Sequence, residues 1–286
     1  MGVDRLAQTV RRQLGLGRLL PLGEAADGAW LMERAAVGVL RQAAGALRGV
    51  RPGRTRIDLA DPDTAGRPLV PPPPSALPPG PLRIEAEFEA GVDRPLPVTA
   101  ERLRAVLAGA ADSRMGLVVS AVDLRITGLL EEPQDAPERE SPSEAAETHD
   151  ALPGDGGPPC GGSPDAEDVT DPEAAGGAEA AVRAAVLAVP GVARLAPALG
   201  HGDRPVWIED ALPGDRGGAP PGRHVRIQLA ISAEHRVLDV VRAARAAVAS
   251  AAAAGAPGSV TVAVVVTEVT DLTRVTDPAR VTGAAG

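Results

Sequence analysis

The sequence has very few aromatic residues and contains neither tyrosine nor lysine. Trp30, Phe88 and Trp207 are its only aromatics, about 1% of 286 residues, so its core must be built from Val, Leu, Ile and Ala. Each such side chain contributes about 1.5–3 kcal/mol when it is fully buried. At this chain length we expect two small cores of roughly 100 residues each rather than one large core.

Cysteine and long apolar runs are equally scarce. The single cysteine, Cys160, excludes an internal disulfide, and its Gly/Pro-rich surroundings fit an incidental exposed thiol better than a catalytic one. No run of about 18 apolar residues exists, and the start of the chain lacks the apolar core of a signal peptide. We therefore expect a soluble, cytoplasmic protein, with contact to the inner face of the cell membrane left open.

The charge balance argues against nonspecific polyanion binding. The formal net charge is -9 and the pI about 5.1, so the molecule as a whole repels nucleic acid and anionic lipid, although local basic patches remain open. All basic residues are arginine, and the bias toward Ala, Gly, Pro and Arg fits GC-rich coding. We expect an actinobacterial source.

The clearest pattern lies between Arg223 and Val269. Apolar and polar side chains alternate over Val225–Ile231, which is the period of a half-buried strand. Residues Glu234–Ala254 then place their valines on one helical face, with Ser232 as a fitting N-cap. Val260–Val269 is a β-branched run typical of a buried strand. This stretch indicates a fold but no reaction.

The first 130 residues predict a lead-in segment followed by a helix, two strands, a helix and a strand. Residues 1–22 begin with a short basic amphipathic helix that either packs on the protein, or on a second copy, or touches a membrane surface. In the first module, 23–130, we predict a helix from Asp27 as N-cap to about Gly49, strands at Thr55–Leu59 and 82–88, a helix capped by Thr99, and a strand at Leu117–Leu129. The Pro-rich loop at 68–81 reads either as a stiff connector or as a ligand for a proline-recognising partner.

Two segments predict no packed structure. Residues 131–177 are acidic, rich in Pro, Gly and Ser, and nearly free of large apolar side chains. Such a segment cannot bury enough surface to offset the entropy of ordering, so we predict a disordered linker that its charge keeps extended. We also predict a flexible tail at 273–286.

The second module, 178–272, repeats the first. It opens with a predicted helix at Glu179–Val189 and a strand at Pro205–Asp210, and short matches such as Leu82–Ile84 with Val225–Ile227 indicate an internal duplication. The predicted fold class is therefore α+β, with two tandem α-β-β-α-β modules joined by an acidic disordered linker.

The second module also resembles a known family. Pro190-Gly191-Val192 after a helix, the V-x-V-x-L pattern at Val225–Leu229 and the strand Val260–Val269 are similar to the alkaline-shock and general-stress envelope proteins of Gram-positive bacteria. The first copy shares the pattern only faintly, and the opening segment with the Pro-rich loop is similar to actinobacterial proteins labelled as a nucleopolyhedrovirus-type family. The resemblance implies a non-enzymatic role in cell-envelope homeostasis or stress response, with protein partners, self-association and indirect membrane association.

Two groups of residues suggest chemical alternatives. Glu234, His235 and Asp239 could form a general base oriented by a carboxylate one turn away, but no nucleophile or metal-ligand spacing accompanies them. The α-β-β-α-β order also invites comparison with K-homology domains, and Gly214–Gly217 spells a GxxG. That motif lies between strands, however, and stacking aromatics are missing.

We therefore predict an interaction or scaffold protein, with an enzyme using His235 and a nucleic-acid-binding module as alternatives. We predict no catalytic residue, no cofactor and no metal ligands. Arg236, Arg242 and Arg245 lie largely off the apolar face of their helix on an otherwise acidic molecule, and we predict that they form a partner-docking face.

Overall fold

The structure is a computed structural model that describes residues 18–130, 172–198, 204–211 and 220–270. Within these ranges it contains nine strands and four α-helices. The strands are β1 (Leu19–Pro21), β2 (Ala29–Met32), β3 (Val50–Leu59), β4 (Leu82–Gly91), β5 (Val119–Leu130), β6 (Val192–Leu195), β7 (Val206–Ala211), β8 (Gly222–Ser232) and β9 (Ser259–Thr270). The helices are α1 (Glu33–Gly45), α2 (Leu96–Ala110), α3 (Pro172–Leu187) and α4 (Val237–Ala251), and a π-helical turn, Ala111–Met115, follows α2.

The strands form two sheets. The small sheet has the order β3-β4-β5, with β3 antiparallel and β5 parallel to β4. The large sheet has the order β1-β2-β9-β8-β6, and β7 also pairs with β8. Here β6 and β7 are antiparallel to β8, whereas β9 is parallel to it. Because a parallel neighbour needs a crossover, α2 connects β4 to β5 and α4 connects β8 to β9. The predicted α+β class is confirmed.

The two halves of the chain share one hydrophobic core. Phe88 and Leu103 from the first half belong to the same buried cluster as Ile227 and Val241 from the second. The expectation of two separate cores is therefore wrong. The reason is that β2, from the first half, joins the sheet of the second half. It lies parallel to β9 and pairs Leu31 with Val266.

Strand β2 also corrects the predicted start of the first helix. Asp27 does not cap a helix, because residues Ala29–Met32 are extended and α1 begins at Glu33. Leu31 faces the main core while Trp30 and Met32 pack in a second cluster on the opposite face of the large sheet. A segment that is buried on both faces cannot be distinguished from a buried helix by its hydrophobicity alone.

The two other predicted caps are also wrong. Helix α2 begins at Leu96 directly after Pro95, and Thr99 is buried inside its first turns. Helix α4 begins at Val237, and the Ser232 hydroxyl instead accepts a weak bond from the backbone N–H of Glu234 (3.4 Å) in the preceding turn. Helix α2 thus begins before its predicted cap and α4 begins several residues after its own, because the turns after β4 and β8 rather than the cap residues set the first helical residue.

One helix begins inside the segment 131–177 that we predict to be a linker. Helix α3 already begins at Pro172, where a proline is tolerated because the first N–H groups of a helix have no partner within it. Residues 131–171 and 273–286, the N-terminal helix at 1–15, Cys160 and Gly214–Gly217 all lie outside the described residues.

The Pro-rich loop packs against the large sheet. Leu19 donates its N–H to the carbonyl of Ser75 (3.2 Å), and the N–H of Leu77 donates to the carbonyl of Leu19 (2.8 Å). Val70 is 4% exposed and joins Trp30 in the second cluster. The loop therefore completes the sheet beside β1, at an edge, which is where prolines are tolerated in sheets.

Candidate functional site

The predicted docking arginines face the other half of the chain. Arg242 on α4 donates two parallel bonds to the carboxylate of Asp27, from Nε to Oδ1 at 2.8 Å and from Nη2 to Oδ2 at 2.9 Å. These bonds lower the pKa of Asp27, and the positive charge of Arg245 lowers it further. The structure thus places Arg242 and Arg245 beside the β1–β2 turn.

Arg236 makes a second connection of the same kind. Its guanidinium bonds the backbone carbonyl of Asp112 at 3.1 Å and the carboxylate of that residue at 3.0 Å. Asp112 belongs to the π-helical turn that follows α2. Arg236 and Arg242 therefore join α4 to the first half of the chain, and their role in a docking face stays a prediction.

The predicted general-base group is dispersed. His235 lies in the turn before α4, so the helical spacing that was expected to bring it to Asp239 does not apply. Asp239 instead lies 3.6 Å from Nη1 of Arg236. Glu234 is exposed at the same turn. The three side chains do not form one cluster.

The free edge of β5 is the most open apolar feature of the small sheet. Strand β5 pairs with β4 on one side, and no described strand pairs with its other side. None of its twelve residues is buried. Val118, Ile126 and Leu129, which are 51%, 38% and 58% exposed, lie on or next to this strand.

Strand β9 is the counterpart of β5 in the large sheet, and both of its edges are paired. It follows a helix and lies parallel to β8, just as β5 lies parallel to β4, but its second edge pairs with β2. Residues Val262–Thr267 in its middle are all buried. The same kind of strand is thus enclosed in one sheet and open in the other.

The two faces of β5 differ in chemistry. Val122 and Leu124 pair with Ile84 and Ala86 of β4 and pack partly against the core. On the outer face, Asp123 lies 3.4 Å from Arg83, and Arg125 lies 4.0 Å from Glu87. Both ion pairs are long and exposed, so they contribute little to stability and leave Asp123 and Arg125 free to approach further charges.

The backbone of β5 is within reach of donors from outside the sheet. Arg104 of α2 donates from Nε to the carbonyl oxygen of Val122 at 3.2 Å. An edge strand that exposes apolar side chains and unpaired backbone groups is a template for pairing with another strand. The sequence located this strand, but it could not show which of its edges would be covered.

Comparison with known proteins leaves the family open. No protein-family model, curated protein or solved structure matches this chain. The resemblance of residues 178–272 to the alkaline-shock family thus remains a prediction. In the part of the chain that the structure describes, no helix is long and apolar enough to cross a membrane.

Proposed function

We propose that this protein is a non-enzymatic interaction or scaffold protein that self-associates by pairing β5 with β5 of a second copy. The observation that carries the proposal is the open edge of β5, with exposed apolar residues and two oppositely charged side chains at its centre. An antiparallel pair related by a twofold axis joins the two small sheets into one continuous sheet.

One register satisfies both faces of the strand. With Leu124 on the twofold axis, Asp123 lies opposite Arg125 of the other copy, so two ion pairs form on the outer face. On the core-facing side, Val122 then lies opposite Ile126. Directly opposed residues on antiparallel strands have Cβ atoms about 4.5–5.5 Å apart, which is close enough for both kinds of pair to form.

The proposed scaffold is built from a duplicated unit. Helix α1 with β3–β4–α2–β5 and helix α3 with β6/β7–β8–α4–β9 follow the same order and the same strand directions. This agreement supports two tandem modules in which β5 corresponds to β9. The edge of β9 that pairs with β2 then corresponds to the open edge of β5. Helices on opposite faces of the two sheets in an experimental structure would contradict the duplication.

The cellular role is proposed from the family resemblance alone. Residues 178–272 support a cytoplasmic protein of envelope homeostasis or stress response, with protein partners and indirect membrane association. Isolation of the protein from fractionated cells tests this role, because recovery without partners in the soluble fraction alone argues against it. The nucleic-acid alternative has no supporting contact among the described residues, and His235 has no neighbour that favours catalysis over binding.

Sedimentation velocity over a range of protein concentrations tests the self-association. We expect the full chain to form a dimer, and we expect Asp123→Arg or Arg125→Asp to weaken it about tenfold or more, since each places like charges opposite one another twice. The double variant should restore the dimer, and an equimolar mixture of the two single variants should form a mixed dimer. Glu89→Arg and Arg51→Asp are matched controls, because that ion pair lies between β3 and β4 (2.7 Å).

Two results would overturn the proposal. One is a wild-type chain that stays monomeric at every concentration. The other is a pair of single variants that associate as well as the wild type, or that fail to complement each other in the mixture while both remain folded by circular dichroism.

A further inference from the structure

A basic cleft lies away from β5 and contains none of its residues. It has a volume of about 530 Å³ and opens where α1, the π-helical turn and the C-terminal ends of β8 and β9 meet. Its charged lining consists of Arg34, Arg41, Arg114 and Glu268, with His235 at the turn before α4. The ends of parallel strands are a common place for ligand sites in mixed sheets.

The positive charge of the cleft is not neutralised by the protein. Among the described residues, no carboxylate lies within ion-pair distance of Arg34, Arg41 or Arg114, whereas most arginines elsewhere on the sheets are paired. Glu268, the one carboxylate of the lining, is bonded to Arg194. The cleft is therefore a local positive site on a molecule with a net charge of -9, and concave walls strengthen its field.

Two of the three arginines make contacts, and both contacts are weak. Arg114 reaches the side-chain oxygen of Gln42 at 3.4 Å, and Arg41 reaches the carbonyl of Gly53 at 3.4 Å. Both distances exceed the usual range for a nitrogen–oxygen hydrogen bond. The guanidinium groups can therefore exchange these neutral acceptors for a charged ligand at small cost.

The spacing of the arginines indicates the size of the ligand. Arg34 and Arg41 are seven residues apart on α1, which is two helical turns or about 10.5 Å. Arg114 approaches from the π-helical turn, and such turns are frequent at functional sites. A chain of linked anionic groups matches this spread of cationic side chains and can bond all three at once.

We infer that this cleft binds a small molecule that carries two or more linked phosphate groups. Guanidinium groups recognise phosphate through two parallel hydrogen bonds, and the volume is within the range of small-molecule sites, about 300–1,000 Å³. Ala35, Val39, Ala233 and Val269 supply an apolar wall for the remainder of such a ligand. This inference is independent of the dimer, because the cleft contains no residue of β5.

Isothermal titration calorimetry of the full chain with tripolyphosphate tests the inference. We expect tripolyphosphate to bind at least about tenfold more tightly than inorganic phosphate, and the variant Arg34→Gln/Arg41→Gln/Arg114→Gln to lose about thirtyfold or more in affinity. The control Arg48→Gln/Arg67→Gln/Arg204→Gln removes the same charge from exposed positions outside the cleft and should bind like the wild type. Citrate separates phosphate recognition from general carboxylate binding.

Several outcomes would overturn the inference. They are no binding of tripolyphosphate to the wild type, equal losses in the cleft and control variants, citrate binding as tightly as tripolyphosphate, or binding of a glutamate-rich peptide in place of tripolyphosphate. The monomeric Asp123→Arg variant should bind tripolyphosphate as tightly as the wild type. The dimer proposal and the phosphate-site proposal can therefore be contradicted independently.

Discussion

Arg242 and Asp27 connect the two halves of the chain through a bidentate ion pair. The carboxylate of Asp27 is only 13% exposed and also accepts the N–H of Glu24 at 2.8 Å, while the Arg242 side chain is 50% exposed. The pair thus fixes the turn before β2 against α4. This contact, together with that of Arg236 and Asp112, fastens α4 to the first half.

Removing this pair should destabilise the protein by a small, measurable amount. In a double-mutant cycle with Asp27→Asn and Arg242→Gln, we expect a coupling free energy of about 1 kcal/mol, because half-exposed pairs are screened by water. The pKa of Asp27 is lowered in the folded protein, so its contribution is present above the pKa of the unfolded chain, about 4, and is lost as the pH falls through the lower folded value. Urea unfolding at pH 7 and pH 3 measures the change.

The coupling cycle has an internal control. Arg245→Gln leaves the two bonds intact and should cost less than Arg242→Gln. A coupling energy near zero at pH 7, or one that persists at the lowest pH at which the chain stays folded, would show that the pair does not fasten the two halves.

Gly116 should be intolerant of any side chain. Its φ is +82°, and a Cβ atom built there would lie 2.5 Å from the Cβ of Leu238 on α4. We expect Gly116→Ala to lower the free energy of unfolding by about 2 kcal/mol or more, since the left-handed backbone alone costs an alanine about 1–2 kcal/mol. Thermal or urea unfolding measures this.

Gly109 provides the matched comparison. It is exposed near the end of α2 with open space around it, so Gly109→Ala should stabilise the protein by about 0.5–1 kcal/mol. If both substitutions change the free energy of unfolding in the same direction, the close approach of Gly116 and Leu238 does not explain the effect of Gly116→Ala.

His224 should make the protein less stable in mild acid. Burial lowers the pKa of its imidazole, Arg226 lowers it further, and Glu209 on β7 partly opposes both. In the folded protein its Nδ1 lies 2.9 Å from the hydroxyl of Thr261. Because the unfolded chain binds the proton more readily, stability should fall as the pH drops below about 6.5 and level off below the folded pKa.

The measurement compares the wild type with His224→Gln between pH 5 and pH 7.5. The difference in their unfolding free energies isolates His224 from the carboxylates, which titrate in both chains at lower pH. A constant difference across this range would contradict the predicted titration.

The alternation of Leu82–Phe88 predicts a strand with one buried face, and the β-branched run of Val260–Val269 predicts a strand buried on both faces. Both strands are present in the structure. The helix of α4 was predicted for the same kind of reason, since its valines recur at helical spacing. What failed were the helix starts near Asp27, Thr99 and Ser232, where turn geometry rather than side-chain preference decides the first helical residue.

The sequence by itself determined the α+β class and the acidic character of the molecule, since these follow from local periodicity and composition. Only the tertiary structure decided that β2 closes the edge of β9 while β5 remains open, because strand pairing between distant segments leaves no mark on the periodicity of either strand. It also decided that Arg242 meets Asp27, whereas Arg34, Arg41 and Arg114 line one cleft and have no ion-pair partner among the described residues. The partner of a surface charge depends on which segments the fold brings together.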